Sequence, residues 1–388
     1  MSNREIVIFN RDVPAGVSSI LKNIIQYKPP SEIQYKLILY HAKEENREKI
    51  REDWCKNVIR IKYSHYDNLY HFLYKLKHYV NEESPLVASD IMELRFVALL
   101  KLKNPLIYII HGDFETYYSQ CDIFQDYMDL IVCYSKFILH KLQKRLKDYN
   151  RCKLRLIYYP VPAIPELAKS SLRVLKIIFV GSLVHRKGVD LLPHITTILN
   201  NKHLSYHLEI IGSGELEEYL QIQFKDKNNI KMSGQLTNNE VLDKLQNAHV
   251  LLFPTRSEGL PNILVEAMKA GCVPIVSHIP SGIPDVVENG KNGMLVEPDD
   301  IQGFADAIVT LSSDENKLRS MSILAIKKAN LMFDPVQNAL DYYTAFISAS
   351  KKVNCQLHPV NPGRLLNQPW LPNRLVRGIR KLNLSNKL

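Results

Sequence analysis

Two glutamates, two adjacent cations and one histidine are the residues of this chain whose types and spacing suit chemistry on a polar, charged ligand. Glu258 and Glu266 form a Glu-X7-Glu pair within Thr255-Arg256-Ser257-Glu258-Gly259-Leu260-Pro261-Asn262-Ile263-Leu264-Val265-Glu266-Ala267-Met268-Lys269-Ala270-Gly271. A carboxylate accepts bonds from hydroxyls or offsets a cation, and one in the middle of an apolar helix needs a partner. Arg186 and Lys187, followed by Gly188, make a cationic turn suited to a phosphate or to any leaving group that gains negative charge. His111 ends an apolar run beside Gly112, where an imidazole can bond a hydroxyl or share a proton.

Such residues need rigid elements behind them. Val250–Phe253 reads as a buried strand, and Pro261 reads as the first residue of a helix that starts near Leu260 and closes at Gly271. Gly259 allows close backbone approach, and the first amides of that helix form a site for an anion or a sugar hydroxyl. Taken alone, Glu266 and Lys269 read as the solvated edge of an amphipathic helix.

The first half alternates short apolar runs (Glu5–Asn10, Lys36–Tyr40, Val58–Lys62, Pro85–Ser89, Leu106–His111, Asp129–Tyr134, Leu154–Tyr159) with helical patterns such as Asp67–Tyr79 and Ser135–Lys147. This alternation predicts a doubly wound parallel sheet with ligands at the carboxyl ends of its strands. Three such ends stand out. Asp12 to Ser19 contains Gly16 but no Gly-X-Gly-X-X-Gly fingerprint, which argues against an NAD enzyme. Ser89-Asp90 is explained by helix capping, with no catalytic role, though the pair can contact an acceptor. His111 is the third.

Pro160 to Pro165 breaks the pattern and marks a hinge. Leu175–Val180 opens a second series, Leu208–Ile211 runs into the turn Gly212-Ser213-Gly214, and further strands are expected at Ile230–Gly234, Val273–Ser277 and before Val296. Asp334-Pro335 starts a helix with Ala339, Tyr342, Tyr343, Phe346 and Ile347 spaced for burial.

A chain of 388 residues with 46% hydrophobic composition fits two α/β domains. The first twelve residues hold too short an apolar run for a signal peptide, and no stretch suits a spanning helix. Six cysteines without a Cys-X2-Cys pair indicate neither a zinc site nor a disulfide framework, so a cytoplasmic location is expected. Of the net charge of +10, residues 351–388 supply +8 (eight Lys or Arg, no Asp or Glu), leaving +2 for the rest. The basic character belongs to the tail and argues against a nucleic-acid groove. No Asp-X-Asp occurs, which argues against a diphosphate held by a metal ion, and neither a metal nor a cofactor is expected.

Embedded in Phe-Pro-X3-Glu-Gly-Leu-Pro-X4-Glu-Ala-Met-X2-Gly, the glutamate pair resembles the signature of retaining, nucleotide-sugar-dependent glycosyltransferases of group 1 (family 4-like). Lys187 and Gly188 are similar to the end of that family's Gly-Arg-X4-Lys-Gly segment. Ser182 stands where its arginine is expected, and Arg186 offers the charge from another direction. The resemblance is strong over residues 175 to 330 and weak over 1 to 165.

It implies the GT-B architecture, α/β with two Rossmann-like doubly wound domains facing across a cleft. Residues 1–165 would bind the acceptor, 166–334 the donor, 335–350 would cross back to the first domain, and 351–388 would be a basic tail. The implied catalytic residues are His111, Lys187 and Glu258. Glu258 would hold hydroxyls of the transferred sugar, Glu266 the ribose, and Lys187 with Arg186 the diphosphate. His111 would meet sugar or acceptor, and Gly16 the donor phosphate or acceptor. Gly212, Gly214, Gly259, Leu260, Pro261 and Asn262 complete the donor site. The donor is a UDP-, GDP- or ADP-sugar, and the acceptor a glycan or a lipid-linked one in cell-surface polysaccharide or glycoconjugate synthesis. A nucleotide-sugar epimerase of the same architecture and a catalytically silent binding protein are the rival readings. The first needs acid and base carboxylates of its own; Ser182 favours the second.

The tail adds an expectation of its own. Over Leu371–Leu382, at 100° per residue, Leu371, Leu375, Ile379 and Leu382 share one side and Arg374, Arg377 and Lys381 the other, with Trp370 just before. Such a helix suits an anionic membrane surface on the cytoplasmic side, or else docks on its own protein.

Overall fold

The computed structural model describes residues 5–45, 49–50, 54–146, 153–165, 173–349 and 358–385. Lys147, Cys152, Lys351, Lys352, Cys355 and Lys387, and the expected boundaries at 166 and 351, lie outside the described residues. The chain divides into two compact units, one of residues 1–134, 139–160 and 335–388, the other of residues 135–138 and 161–334.

The first unit is built on β1 (Glu5–Arg11), β2 (Gln34–Ala42), β3 (Asn57–Tyr63), β4 (Leu86–Ala88), β5 (Leu106–Ile110), β6 (Leu130–Cys133) and β7 (Lys153–Leu156). They lie in the order β3-β2-β1-β4-β5-β6-β7, and every neighbouring pair is parallel. The chain thus starts in mid-sheet, winds one way, and crosses back to wind the other, with the reversal between β1 and β4. The apolar runs of the sequence are these strands because parallel strands covered on both faces have no solvent side to mark with polar residues. The last run ends early: β7 stops at Leu156, before the expected Tyr159.

The helix Gly16–Gln26 buries Ile20, Leu21, Ile24 and Ile25, and the helix Pro335–Ser348 packs against it through Ala339, Tyr342, Tyr343 and Phe346. Ile347, expected on the buried face, is exposed. The Tyr342 hydroxyl donates to the carbonyl of Ile157 (3.1 Å), and Tyr35 meets the rings of Tyr343 and Phe346 edge-on.

The second unit holds β8 (Leu175–Val180), β9 (Tyr206–Ile211), β10 (Ile230–Gly234), β11 (Val250–Phe253), β12 (Val273–Ser277) and β13 (Met294–Val296), all parallel, in the order β10-β9-β8-β11-β12-β13. Pro274 sits in β12 between two partners, where its missing N–H should break a ladder. The Val273 N–H points to β11, donating to the His249 carbonyl, so Pro274 faces the other side. There the pairing with β13 begins one residue later, at Ile275 with Met294. The proline therefore costs no bond.

The tail helix spans Asn373–Ser385, starting two residues later than expected, and docks on its own unit. Val376, on neither face of the expected division, is fully buried. The docking is polar and reciprocal. Asn68 donates its N–H to Asn373 Oδ1 and its side-chain amide to the carbonyls of Gln368 and Leu371, while Asn367 Oδ1 accepts from the Leu69 N–H and from Arg380. Among the described residues no helix is long and apolar enough to cross a membrane.

Candidate functional site

In the second unit the site forms where β8 and β11 end side by side. After β8 the chain makes a one-turn 3-10 helix, His185–Lys187, ended by Gly188 in the left-handed region (φ +69°). A side chain is impossible there, since a Cβ on Gly188 would lie 1.8 Å from the Pro254 carbonyl oxygen. This contact presses the cationic turn onto the loop after β11. The Arg186 carbonyl accepts from the Arg256 N–H (2.9 Å) and from the buried Thr255 hydroxyl (3.1 Å).

The result is a convergence on one carboxylate oxygen. Lys187 Nζ donates to Glu258 Oε1 in a short contact, Arg186 reaches the same oxygen at 3.3 Å and also the Ser257 carbonyl at 2.7 Å, and the Thr255 hydroxyl lies 3.3 Å away. Lys187 also sits 5.0 Å above the Phe253 ring. Burial holds the Lys187 ammonium below its ordinary range, and Glu258 opposes that shift. Two guanidinium or ammonium groups against one carboxylate leave local positive charge, which suits an incoming anion. Arg186 thus brings a second cation to the cluster, while Ser182 is an exposed turn residue.

The helix after the loop spans Asn262–Lys269, so Pro261 is its N-cap residue and not its first helical one (φ −68°, ψ 128°). Its far end is a Schellman motif: the Gly271 N–H donates to Met268 and the Cys272 N–H to Ala267, with Gly271 left-handed at φ +78°. Leu260 is buried, and the Gly259 carbonyl accepts from the Gly282 N–H at 2.5 Å, which fixes the loop between Glu258 and the helix.

Neither charged residue of this helix lies on a solvated edge. Glu266 is half-buried, has no hydrogen-bond or ion-pair partner among the described residues, and burial pushes its carboxyl up to about 7. A carboxyl in that setting has acceptor capacity that a hydroxyl donor can use. Lys269 is fully buried and donates to the carbonyls of Val161 (2.6 Å) and Phe333 (2.8 Å). Burial lowers its ammonium to about 8, opposed by Asp334. It is a clasp between the two places where the chain enters and leaves the unit.

Gly212 and Gly214 follow β9, but the fold explains both. A Cβ on Gly212 would lie 1.9 Å from the Gly181 carbonyl oxygen, and one on Gly214 would lie 2.5 Å from that of Leu183. The Gly212 N–H already donates to the Gly234 carbonyl.

In the first unit His111 follows β5. Its Nε2 pairs with the Ser89 hydroxyl at 3.0 Å, while Nδ1 is enclosed and has no partner among the described residues. Burial drives the imidazole down to about 3, so it is neutral and suited to hydrogen bonding, not to donating a proton at neutral pH. Asp90 caps the helix as expected, and Glu93 completes a reciprocal capping box with it. Glu93 is itself buried, bonded to the Tyr40 hydroxyl, and raised to about 8 by burial and by Asp90. Around the ends of β1, β4 and β5 lies a cavity of about 320 Å³, bounded by Arg11, Ser18, Ser89, Asp90, Phe114 and Tyr117 among others. Gly16 opens the helix beside it and is exposed.

The sequence assigns no role to Thr255 or Arg256, and to Ser89 only a helix cap or an acceptor contact, not a bond to His111. Ser89 orients His111. Thr255 touches Glu258. Arg256 grips Asp190 with two bonds (2.8 and 2.9 Å) and also reaches Asp299 and the His185 carbonyl, tying the cationic turn to the loop. A polar residue next to a catalytic candidate was the available signal, but partners 66 or 43 residues away leave no local pattern.

A family model described as Glycosyl transferases group 1 matches residues 166–328. An uncharacterized glycosyltransferase of Methanocaldococcus jannaschii is 26% identical over 333 residues, covering 79% of this chain and 87% of its own. The O-antigen biosynthesis glycosyltransferase WbnH of Escherichia coli is 30% identical over 274 residues, 66% of this chain and 76% of its own. In fold, the chain is similar to HepE of Anabaena, solved with UDP and glucose, with a TM-score of 0.72 at 16% identity over 89% of this chain and 100% of that one. The two parallel, Rossmann-like sheets are those of the GT-B fold. By this identity, across three quarters of WbnH, the chain belongs to the glycosyltransferases of group 1.

Proposed function

We propose that this protein moves a sugar from a nucleoside diphosphate donor to a glycan or lipid-linked acceptor, with retention at the anomeric carbon and without a metal ion. The observation that carries the reading is the convergence of Arg186 and Lys187 on Glu258, with the unpartnered Glu266 in the helix that follows. In this reading the second unit takes the donor, with the diphosphate on Arg186 and Lys187, sugar hydroxyls on Glu258 and ribose hydroxyls on Glu266. Gly259, Leu260, Pro261 and Asn262 set the loop and helix start beside them. The first unit takes the acceptor, with His111 as a neutral hydrogen-bonding group.

The bond from the anomeric carbon to the β-phosphate oxygen breaks with its electron pair going to the phosphate, where the two cations stabilise it. The acceptor oxygen bonds the same face of the carbon, and its proton passes to the departing phosphate. No protein nucleophile is needed. The setting is cell-surface polysaccharide or glycoconjugate synthesis, as the role of WbnH in O-antigen biosynthesis suggests. Buried thiols at Cys121, Cys133 and Cys272 support a reducing, cytoplasmic compartment.

The test is a thermal-shift screen of UDP-, GDP- and ADP-sugars, then nucleotide release with and without candidate acceptors, then NMR of the product's anomeric configuration. Acceptor-dependent release with retained configuration supports the reading. Release without acceptor, giving an epimerised sugar, or binding with no release at all overturns it.

A further inference from the structure

We propose that the docked tail presents a surface that seats the protein on an anionic lipid bilayer, through the outward arc of the helix Asn373–Ser385 and the segment before it. This goes beyond the transfer reaction and does not depend on it.

The described part of the tail is held in place. Arg380 donates to the carbonyls of Tyr66 (3.4 Å) and, more closely, Asp67, and Arg377 lies 3.6 Å from the Asp67 carboxylate. With Val376 these contacts decide which way the helix is turned. Counting 100° per residue, Val376 and Arg380 point inward, and the arc opposite carries Arg374, Gly378 and Lys381 beside Leu375 and Leu382. The seam between the helix's basic and apolar sides therefore faces outward.

Four large apolar side chains stand in solvent here: Leu365 (89% exposed), Trp370 (74%), Leu375 (53%) and Leu382 (66%). Exposed Arg364, Arg374 and Lys381 lie among them, and residues 351–388 contain no Asp or Glu. Apolar side chains mixed with cations, with a tryptophan at the margin, match an interface whose headgroups are anionic and whose interior is hydrocarbon. A second copy of this chain is the poorer occupant, since a self-facing pair would set Arg374 and Lys381 against their own kind. Each basic side chain near such a leaflet is worth on the order of fivefold in partitioning.

Cutting the tail away would uncover the start of the helix Leu69–Lys77, whose first N–H donates to Asn367, so point variants of the full chain are the right probes. Phosphatidylcholine vesicles with and without phosphatidylglycerol are pelleted at physiological salt with the wild type. They are then pelleted with Trp370→Ser/Leu375→Ser/Leu382→Ser and with Arg374→Gln/Lys381→Gln. These side chains are exposed, so unchanged melting is the check on folding. The wild type should pellet with the anionic vesicles only. The first variant should lose at least tenfold, and the second should lose on the order of 25-fold along with the preference for anionic lipid. Binding of the first variant equal to wild type, absence of wild-type binding, or self-association through this face without vesicle binding overturns the proposal. Nucleotide release measured without vesicles should be the same in all three proteins, which keeps this outcome separate from that of the transfer reaction.

Discussion

Lys187 and Glu258, 71 residues apart in sequence, are joined by a direct ion pair in the second unit, and Arg186 reaches the same carboxylate oxygen. Cation and carboxylate are thereby held ready at one point. An anionic ligand that draws Lys187 to itself leaves Glu258 open to hydroxyls, so the two proposed contacts form by one exchange of partners.

Lys187→Ala should reduce kcat more than it raises the KM for donor. A charge-assisted contact is worth about 1.5–3 kcal/mol, or roughly 10- to 150-fold, if it is made mainly in the transition state. Steady-state kinetics with the preferred nucleotide sugar measures the split, and an unchanged kcat removes Lys187 from the diphosphate.

Glu266 gives a prediction in pH. Its carboxyl stands at about 7 in the folded protein against 4.5 ordinarily. The folded state therefore holds the proton more tightly, and the stability this brings is full below the lower value and lost as pH rises through the higher. Glu266→Gln should melt with the wild type at pH 5 and above it at pH 8, by up to about 3 kcal/mol. The same variant should bind nucleoside diphosphate more weakly at pH 8, because ribose hydroxyls lose their acceptor. In the wild type, calorimetric affinity should rise from pH 5 to 8, as hydroxyl donors favour the ionised carboxylate. A flat profile removes Glu266 from the ribose.

Lys269 runs the other way. Burial holds its ammonium at about 8, below the ordinary 10.5, so the unfolded chain keeps the proton longer and wild-type stability should rise with pH between those values. Lys269→Met leaves the carbonyls of Val161 and Phe333 without their donor and should cost about 1–3 kcal/mol at pH 7. Urea unfolding of both proteins at pH 7 and 9.5 tests both statements, since the variant should lack the rise.

Gly188→Ala meets a left-handed backbone and the Pro254 carbonyl at once. At least about 2 kcal/mol of destabilisation is expected. Because the turn carries Lys187, donor turnover should fall further than the loss of folded protein explains, as active-site titration at low temperature would show.

What could be read in the sequence followed the reach of each interaction. β11, the Gly271 cap and the Asp90 cap depend on neighbours within a few residues, so their residue types suffice. Lys269 looked like a solvated edge because its carbonyl partners lie 108 and 64 residues away. The period of the tail helix was legible, but its rotation is set by Asp67 and Asn68, some 300 residues earlier. Pro261 was displaced by one position because proline suits either side of a helix start. Ser89 was seen as part of a cap, and its second duty on His111 has no trace in local spacing.

The clasp at Lys269 has an evolutionary side. Because the Val161 N–H donates to the Phe333 carbonyl and one ammonium holds both strands, the stretch between them begins and ends at a single spot. A stretch with adjoining ends is a cassette: it can be exchanged between relatives, or given new termini elsewhere, without rethreading the host. The second unit can then keep its family signature over residues 166–328 while the first is free to diverge.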